Sequence, residues 1–201
     1  MRRRALCAAG GGVKIPEGVS IATFEGWFVP YDKWNNQGTP KGVAVKLPDR
    51  TIILSLKTSS VKWASSTGDV AGVPTFTSTT ALKNYMDGEE YTKALASYTT
   101  ITNTAAHVAL MEAIKIGNKV LTGHIGSTGE WAMVGDYAAD VMAAYSVLGY
   151  SFVTASTNYW TSCERASGST WICQWDTSGA ISWSALSKTN ARVLRTFFTY
   201  K

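Results

Sequence analysis

With 201 residues, 45% hydrophobic and only 16% charged, the chain is long enough to bury a core and reads as one weakly charged globular domain with an N-terminal arm. Its net charge is +5, but Arg2, Arg3 and Arg4 supply three of those charges, so the rest is close to neutral and nucleic-acid binding is not expected of it. No stretch is long and apolar enough to span a membrane, so membrane insertion is not expected either.

Residues 1–18 read as the arm. A secretory signal needs an apolar core of about 7–15 residues, and residues 5–9 fall short of it. Cys7 has Arg4 three positions upstream, where a lipid-modified cysteine would need an aliphatic residue. The three glycines at 10–12 neither follow a strand nor open a helix, so they are no phosphate loop. The arm is expected to dock in an assembly or to stay a solvated tail.

Residues 19–29 are aromatic and β-branched, and Pro30 ends that run. Residues 42–47 and 51–56 are two strands joined by the turn tripeptide Pro48-Asp49-Arg50, a hairpin. Residues 59–79 are broken by Gly68, Gly72 and Pro74. Short helices are expected over 80–86 and 89–98, and a third from Thr104 or Asn103 to Ile116, ended by Gly117-Asn118.

A stronger helix signal follows. Ser127 and Glu130 form a capping box: the serine accepts from the third helical amide and the glutamate reaches back to the serine amide. Behind it Trp131, Val134, Ala138, Val141, Met142, Tyr145 and Leu148 fall on one helical face, a core stripe closed by Gly149.

From residue 159 to 198, runs rich in Trp, Ile, Thr, Val and Phe alternate with Ser/Gly/Asp/Asn clusters, the pattern of short antiparallel strands. Centring the first hairpin on Gly168 sets Cys163 opposite Cys173, Arg165 opposite Trp171 and Thr161 opposite Trp175. A cross-strand disulfide fits that spacing; two buried, unbonded thiols are the alternative, and a one-residue slip removes the pairing.

Catalytic constellations are missing from the sequence. Neither His107 nor His124 has a cysteine or carboxylate at metal-ligand spacing, so no metal or cofactor is expected. There is no Gly-x-Ser-x-Gly, and Asp87, Glu89 and Glu90 lack the alternating oxygens of a calcium loop. What remains is an aromatic, polar surface in the last strands, suited to binding, with Trp160 and Trp175 assigned inward and Trp183 outward.

Tyr-Trp-Thr-Ser-Cys-Glu at 159–164 resembles the Tyr-Trp-Ser-Ser-Thr-Glu element of a C-type-lectin-like family of phage and bacterial surface proteins, which includes the variable proteins of diversity-generating retroelements. Ile-Gly-Ser-Thr-Gly-Glu-Trp at 125–131 is similar to that family's Leu-Pro-Ser-x-Gly-Glu-Trp helix start. Gly179, Lys188 and Ala-Arg-Val-Leu-Arg-Thr-Phe at 191–197 resemble its closing segment. Gly126 and Val193 stand where prolines are usual, and Cys163 and Cys173 replace a threonine and a valine, a departure that favours the disulfide.

The resemblance implies an α+β, C-type-lectin-like fold over residues 19–201, with two or more helices on small antiparallel sheets. It implies a ligand surface of Tyr159, Trp171, Ile181, Trp183, Ala185, Leu186, Thr189, Asn190 and Arg192. The calcium–sugar motifs of lectins are absent from the sequence and are not carried over. The expectation is a non-enzymatic phage tail or fibre protein, located in the virion, that binds a host-surface glycan or protein. Its arm would join other virion proteins, and it would form a homo-oligomer such as a trimer. The alternatives are a capsid or tail decoration protein and a ligand-binding protein of the bacterial cell surface.

Overall fold

The structure, a computed structural model, describes residues 13–98, 102–155 and 157–201. The expected arm therefore lies, as far as residue 12, outside the described residues.

In chain order the elements are β1 Gly18–Thr23, β2 Phe28–Pro30, β3 Pro40–Lys46, β4 Thr51–Ser55, β5 Ser59–Lys62, α1 Gly88–Tyr98, α2 Ala105–Met111, β6 Ala113–Ile116 and β7 Lys119–Thr122. They continue with β8 His124–Ile125, α3 Thr128–Gly135, α4 Ala138–Val147, β9 Thr157–Ala166, β10 Ser169–Trp175, β11 Ile181–Ser187, β12 Ala191–Leu194 and β13 Thr196–Tyr200. One sheet runs β2-β1-β3-β4-β13-β8, a second runs β11-β10-β9-β12-β5, and β6 and β7 form a separate hairpin. Pairing is antiparallel except between β12 and β9. The chain is thus mixed α/β, with mostly antiparallel sheets and few helices.

The first sheet is covered on both sides, which explains its near-continuous apolar strands. Val43, Val45, Ile52 and Leu54 pack with Trp131, Val134, Val141 and Tyr145 of α3 and α4. Ala44 and Ile53, on the alternate face, pack with Ile116, Phe198 and Tyr200. The β3–β4 hairpin closes at the expected tripeptide, with the Leu47 amide donating to the Arg50 carbonyl at 2.8 Å. The last strand, β13, lies between β4 and β8 and so locks the chain's end into the sheet of its beginning.

Two helical expectations are corrected. The helix expected from 104 to 116 stops at Met111, and residues 113–116 form β6, which turns through Gly117 at φ +61° into β7. Ile114 and Ile116 are two apart, a strand spacing, and both pack under the first sheet. The long capped helix is also two: α3 ends at Gly135, and α4 starts at Ala138. A Cβ on Gly135 would lie 2.2 Å from Ile181 Cδ1, so the helix ends where a strand presses against it. The capping box at Ser127 and Glu130 forms with both hydrogen bonds, and the stripe from Trp131 to Leu148 faces the main core.

The β9–β10 register is likewise not the one expected. The tight turn spans Ser167-Gly168 with Ala166 opposite Ser169, and two irregularities beyond it slide the strands further. Cys173 therefore faces Tyr159, and Trp175 faces Thr157. Cys163 and Cys173 are both buried and unbonded. Cys163 sits with Leu82 and Trp171, whereas Cys173 sits in the main core.

Candidate ligand-binding cleft beside the edge strand

The residues that carried the family resemblance converge, but on the interior. Trp131 stacks on Tyr159 with ring centroids 4.9 Å apart, and Trp175 meets it edge-on at 6.2 Å. The Arg195 guanidinium lies over the rings of Tyr145, Phe152 and Tyr159, and its Nη1 donates to the Ser55 carbonyl at 2.7 Å. Glu164 and Lys188, both fully buried, form an ion pair. Glu164 also accepts from the Val70 amide and the Thr75 hydroxyl, while Lys188 donates to the Gly68 carbonyl and lies over the Trp63 ring. This pair ties the irregular segment after β5 to the β9–β11 strands. A buried charge is tolerated only with such partners.

Two of the expected ligand residues belong to this interior. Tyr159 is fully buried and donates to the Phe152 carbonyl; Trp171 is 3% exposed, stacks on Phe76 and donates through Nε1 to the Phe76 carbonyl. Neither can touch a ligand. The thiols are equally inert: burial pushes Cys163 up to about 11 and raises Cys173 further still.

The outer strand is different. Among the described residues β11 pairs only with β10, so none of them covers its other edge. Side chains alternate along it. Ile181, Trp183 and Ala185 point to the side of their partners Trp175, Cys173 and Trp171, toward α3, whereas Ser182, Ser184 and Leu186 point to the other side. Leu186 packs against the cluster of Trp63 and Trp160. Trp183 is half-buried, its inner part against the core and its outer part at the surface.

Between α3 and β11 lies a cleft of about 230 Å³ lined by Lys83, Ala132, Gly135, Asp136, Gly179, Ile181 and Trp183. Two glycines shape it. Gly135 lets Ile181 approach the helix, and Gly179 takes φ +85° in the turn that launches β11. That turn is braced by Asp176, whose Oδ1 accepts from the Ser178 hydroxyl and amide and from the Ala180 amide. The Ser178 hydroxyl and the Ala180 amide hold the carboxyl below its usual range. At the rim, Lys83 Nζ stands 3.5 Å from Asp136 Oδ2, with both side chains more than half exposed. A loose pair of this kind contributes little stability and can exchange its partner for a ligand's polar groups.

Of the expected ligand residues, then, Ile181 and Trp183 meet in this cleft. Ala185 shares their face further along the strand. Thr189 and Asn190 form the next turn, where the Asn190 amide donates to the Ser187 carbonyl. Arg192 lies on β12, opposite Val61 of β5. Lys83, Gly135 and Asp136 were not foreseen, because nothing in the sequence connects positions 83, 136 and 183. Among the described residues no group of His, Cys, Asp and Glu could hold a metal ion. His107 pairs with Thr104, and His124 is buried with its Nε2 3.4 Å from Glu130 Oε1.

No family model and no curated protein matches this chain. Among solved structures it is similar to a fimbrial protein from Bacteroides ovatus ATCC 8483, with 16% identity and a TM-score of 0.48. That likeness covers 74% of this chain and 35% of the fimbrial protein, so the chain spans about a third of the other's length. A similarity at this level decides neither fold nor function.

Proposed function

We propose that this chain is a C-type-lectin-like binding module of a phage particle that engages a host-surface glycan or protein through the cleft between α3 and β11. One observation carries the reading: Trp183 is partly exposed on an edge strand, anchored from behind and flanked by the exchangeable Lys83–Asp136 pair. A rigid aromatic with its inner edge packed offers contact area at small entropic cost, and the rim charges orient polar groups. The motif residues of the resemblance support it as a scaffold, since they hold β9 and β10 rigid behind that strand.

Whole-cell and glycan-array binding by Trp183→Ala and Asp136→Asn tests this. Trp183→Ala should weaken binding by about tenfold or more, as removal of an interface anchor does. Binding unchanged in both variants would overturn the reading. A second reading, a capsid or tail decoration protein, rests on the edge itself. The other edges of the two larger sheets are β2, β8 and β5, of three, two and four residues, whereas β11 has seven and no charge. A native mass showing an obligate oligomer that Ser184→Lys dissociates would favour it.

A further inference from the structure

A second cleft lies on different elements, around the end of the first sheet and the β6 strand. Its volume is about 470 Å³, within the range of small-ligand sites, and its walls include Phe24, Tyr150, Lys41, Lys57, Lys115 and Glu112. Phe24 and Tyr150 are 43% and 45% exposed, so both offer ring surface in the lining. The Nζ atoms of Lys41 and Lys115 each stand 5.4 Å from the Phe24 ring centroid, so one ring holds two ammonium groups. Among the described residues none of these three lysines has an ion-pair partner. The one carboxylate in the lining, Glu112, is held by the Ser55 hydroxyl, which donates to it at 2.5 Å, and offsets one of the three positive charges. Glu25, next to Phe24, is turned away onto Thr39, whose amide and hydroxyl donate to it and hold its carboxyl below the usual range.

We infer that this cleft binds the anionic groups, whether phosphate, sulfate or carboxylate, of an acidic glycan. Three lysines against the single Glu112 carboxylate, on a concave and partly apolar site, leave an excess of positive charge that an anion complements. The ring geometry argues against single-stranded nucleic acid. Such ligands stack bases on free aromatic faces along a groove. Here the Phe24 ring already serves two cations, and the charge is gathered in one hollow instead of along a track. Sequence could not show it, because positions 41, 57 and 115 are far apart in the chain. The inference does not depend on the Trp183 cleft, which is built from other elements.

The experiment measures equilibrium binding of the full chain to a sulfated heparin octasaccharide. An uncharged dextran of similar length and a single-stranded oligonucleotide of equal charge are run alongside, each at low and at physiological salt. The octasaccharide should bind in a salt-dependent way and the dextran should not. The triple variant Lys41→Gln, Lys57→Gln, Lys115→Gln should lose about tenfold in affinity at low salt and show a flatter salt dependence. Unchanged thermal midpoints check that these surface changes leave the fold intact. Replacing Arg2, Arg3 and Arg4 by alanine separates any attraction by the N-terminus, and that variant should bind as the parent does. The inference is overturned if the parent does not bind the octasaccharide or if the lysine variant binds it as well as the parent. It is equally overturned if the arginine variant carries the loss, or if the oligonucleotide binds more tightly than the saccharide.

Discussion

Strands β9 and β10 and their neighbour β11 belong to one sheet and share a composition of tryptophan, serine and threonine, yet they play opposite parts. On the central pair Trp160, Trp171 and Trp175 are buried, each indole N–H has an acceptor, and the thiols between them are sealed. One strand further out, Trp183 has an open backbone edge beside it and a cleft in front. The difference lies in position within the sheet, not in residue type. A strand with neighbours on both sides and layers above and below becomes scaffold; an edge strand of similar make-up remains available.

If that contrast is right, damage should be graded by burial. The largest effect is expected for Lys188→Ala, which leaves the Glu164 carboxylate buried and unpaired. A loss of roughly 3–5 kcal/mol in urea unfolding is expected, and the double variant Glu164→Gln, Lys188→Met should recover part of it. A loss below about 1 kcal/mol would place the pair in contact with water.

Next comes alkaline destabilisation. Burial pushes Tyr145, whose hydroxyl donates to the Ser55 carbonyl, up to about 12, with Arg195 opposing. In the unfolded chain the phenol releases its proton near pH 10, so the folded form holds it longer. Stability is therefore complete below about pH 10 and should fall by on the order of 2–3 kcal/mol as pH rises toward 12. Chemical unfolding measured from pH 8 to 12 checks this, and a flat profile would contradict the burial of the ring.

Ser127→Ala removes the hydroxyl that accepts from the Glu130 amide and should cost about 1 kcal/mol, read as a lowered thermal midpoint. The smallest effect on stability belongs to the edge. Trp183→Ala should change unfolding free energy by no more than about 1–2 kcal/mol, since only its inner part is packed, while weakening ligand binding far more. A loss as large as that expected of Lys188→Ala would erase the distinction between scaffold and edge.

Much of this was legible locally. The Pro48-Asp49-Arg50 hairpin, the Ser127–Glu130 box, the apolar stripe behind it and the inward Trp160 and Trp175 all sit where the sequence pattern places them. Less legible were the ends of helices. Ile114 and Ile116 continue a helical run as easily as they start a strand, and Gly135 halts α3 because of Ile181, 46 positions away by number. The disulfide failed for a similar reason: a symmetric turn on Gly168 was assumed, and irregularities beside it moved Cys173 opposite Tyr159. Of the candidate site, Ile181 and Trp183 were named through the family resemblance; Trp183, expected outward, lies instead on the core-facing side of its strand and is partly buried, while Tyr159 and Trp171 carry the same aromatic signature and are walled in.

By itself the amino-acid order determined what neighbours within a few positions decide: turns, caps, strand alternation and the class of a mostly antiparallel α+β chain. Those features rest on hydrogen bonds and steric preferences between residues close in sequence, so no distant partner is needed to predict them. Only the tertiary structure decided which tryptophans are sealed, that Glu164 meets Lys188, and that Lys41, Lys57 and Lys115 line one cleft with Phe24. Burial and charge pairing depend on whatever the chain brings up from elsewhere, and that information does not reside in any single stretch.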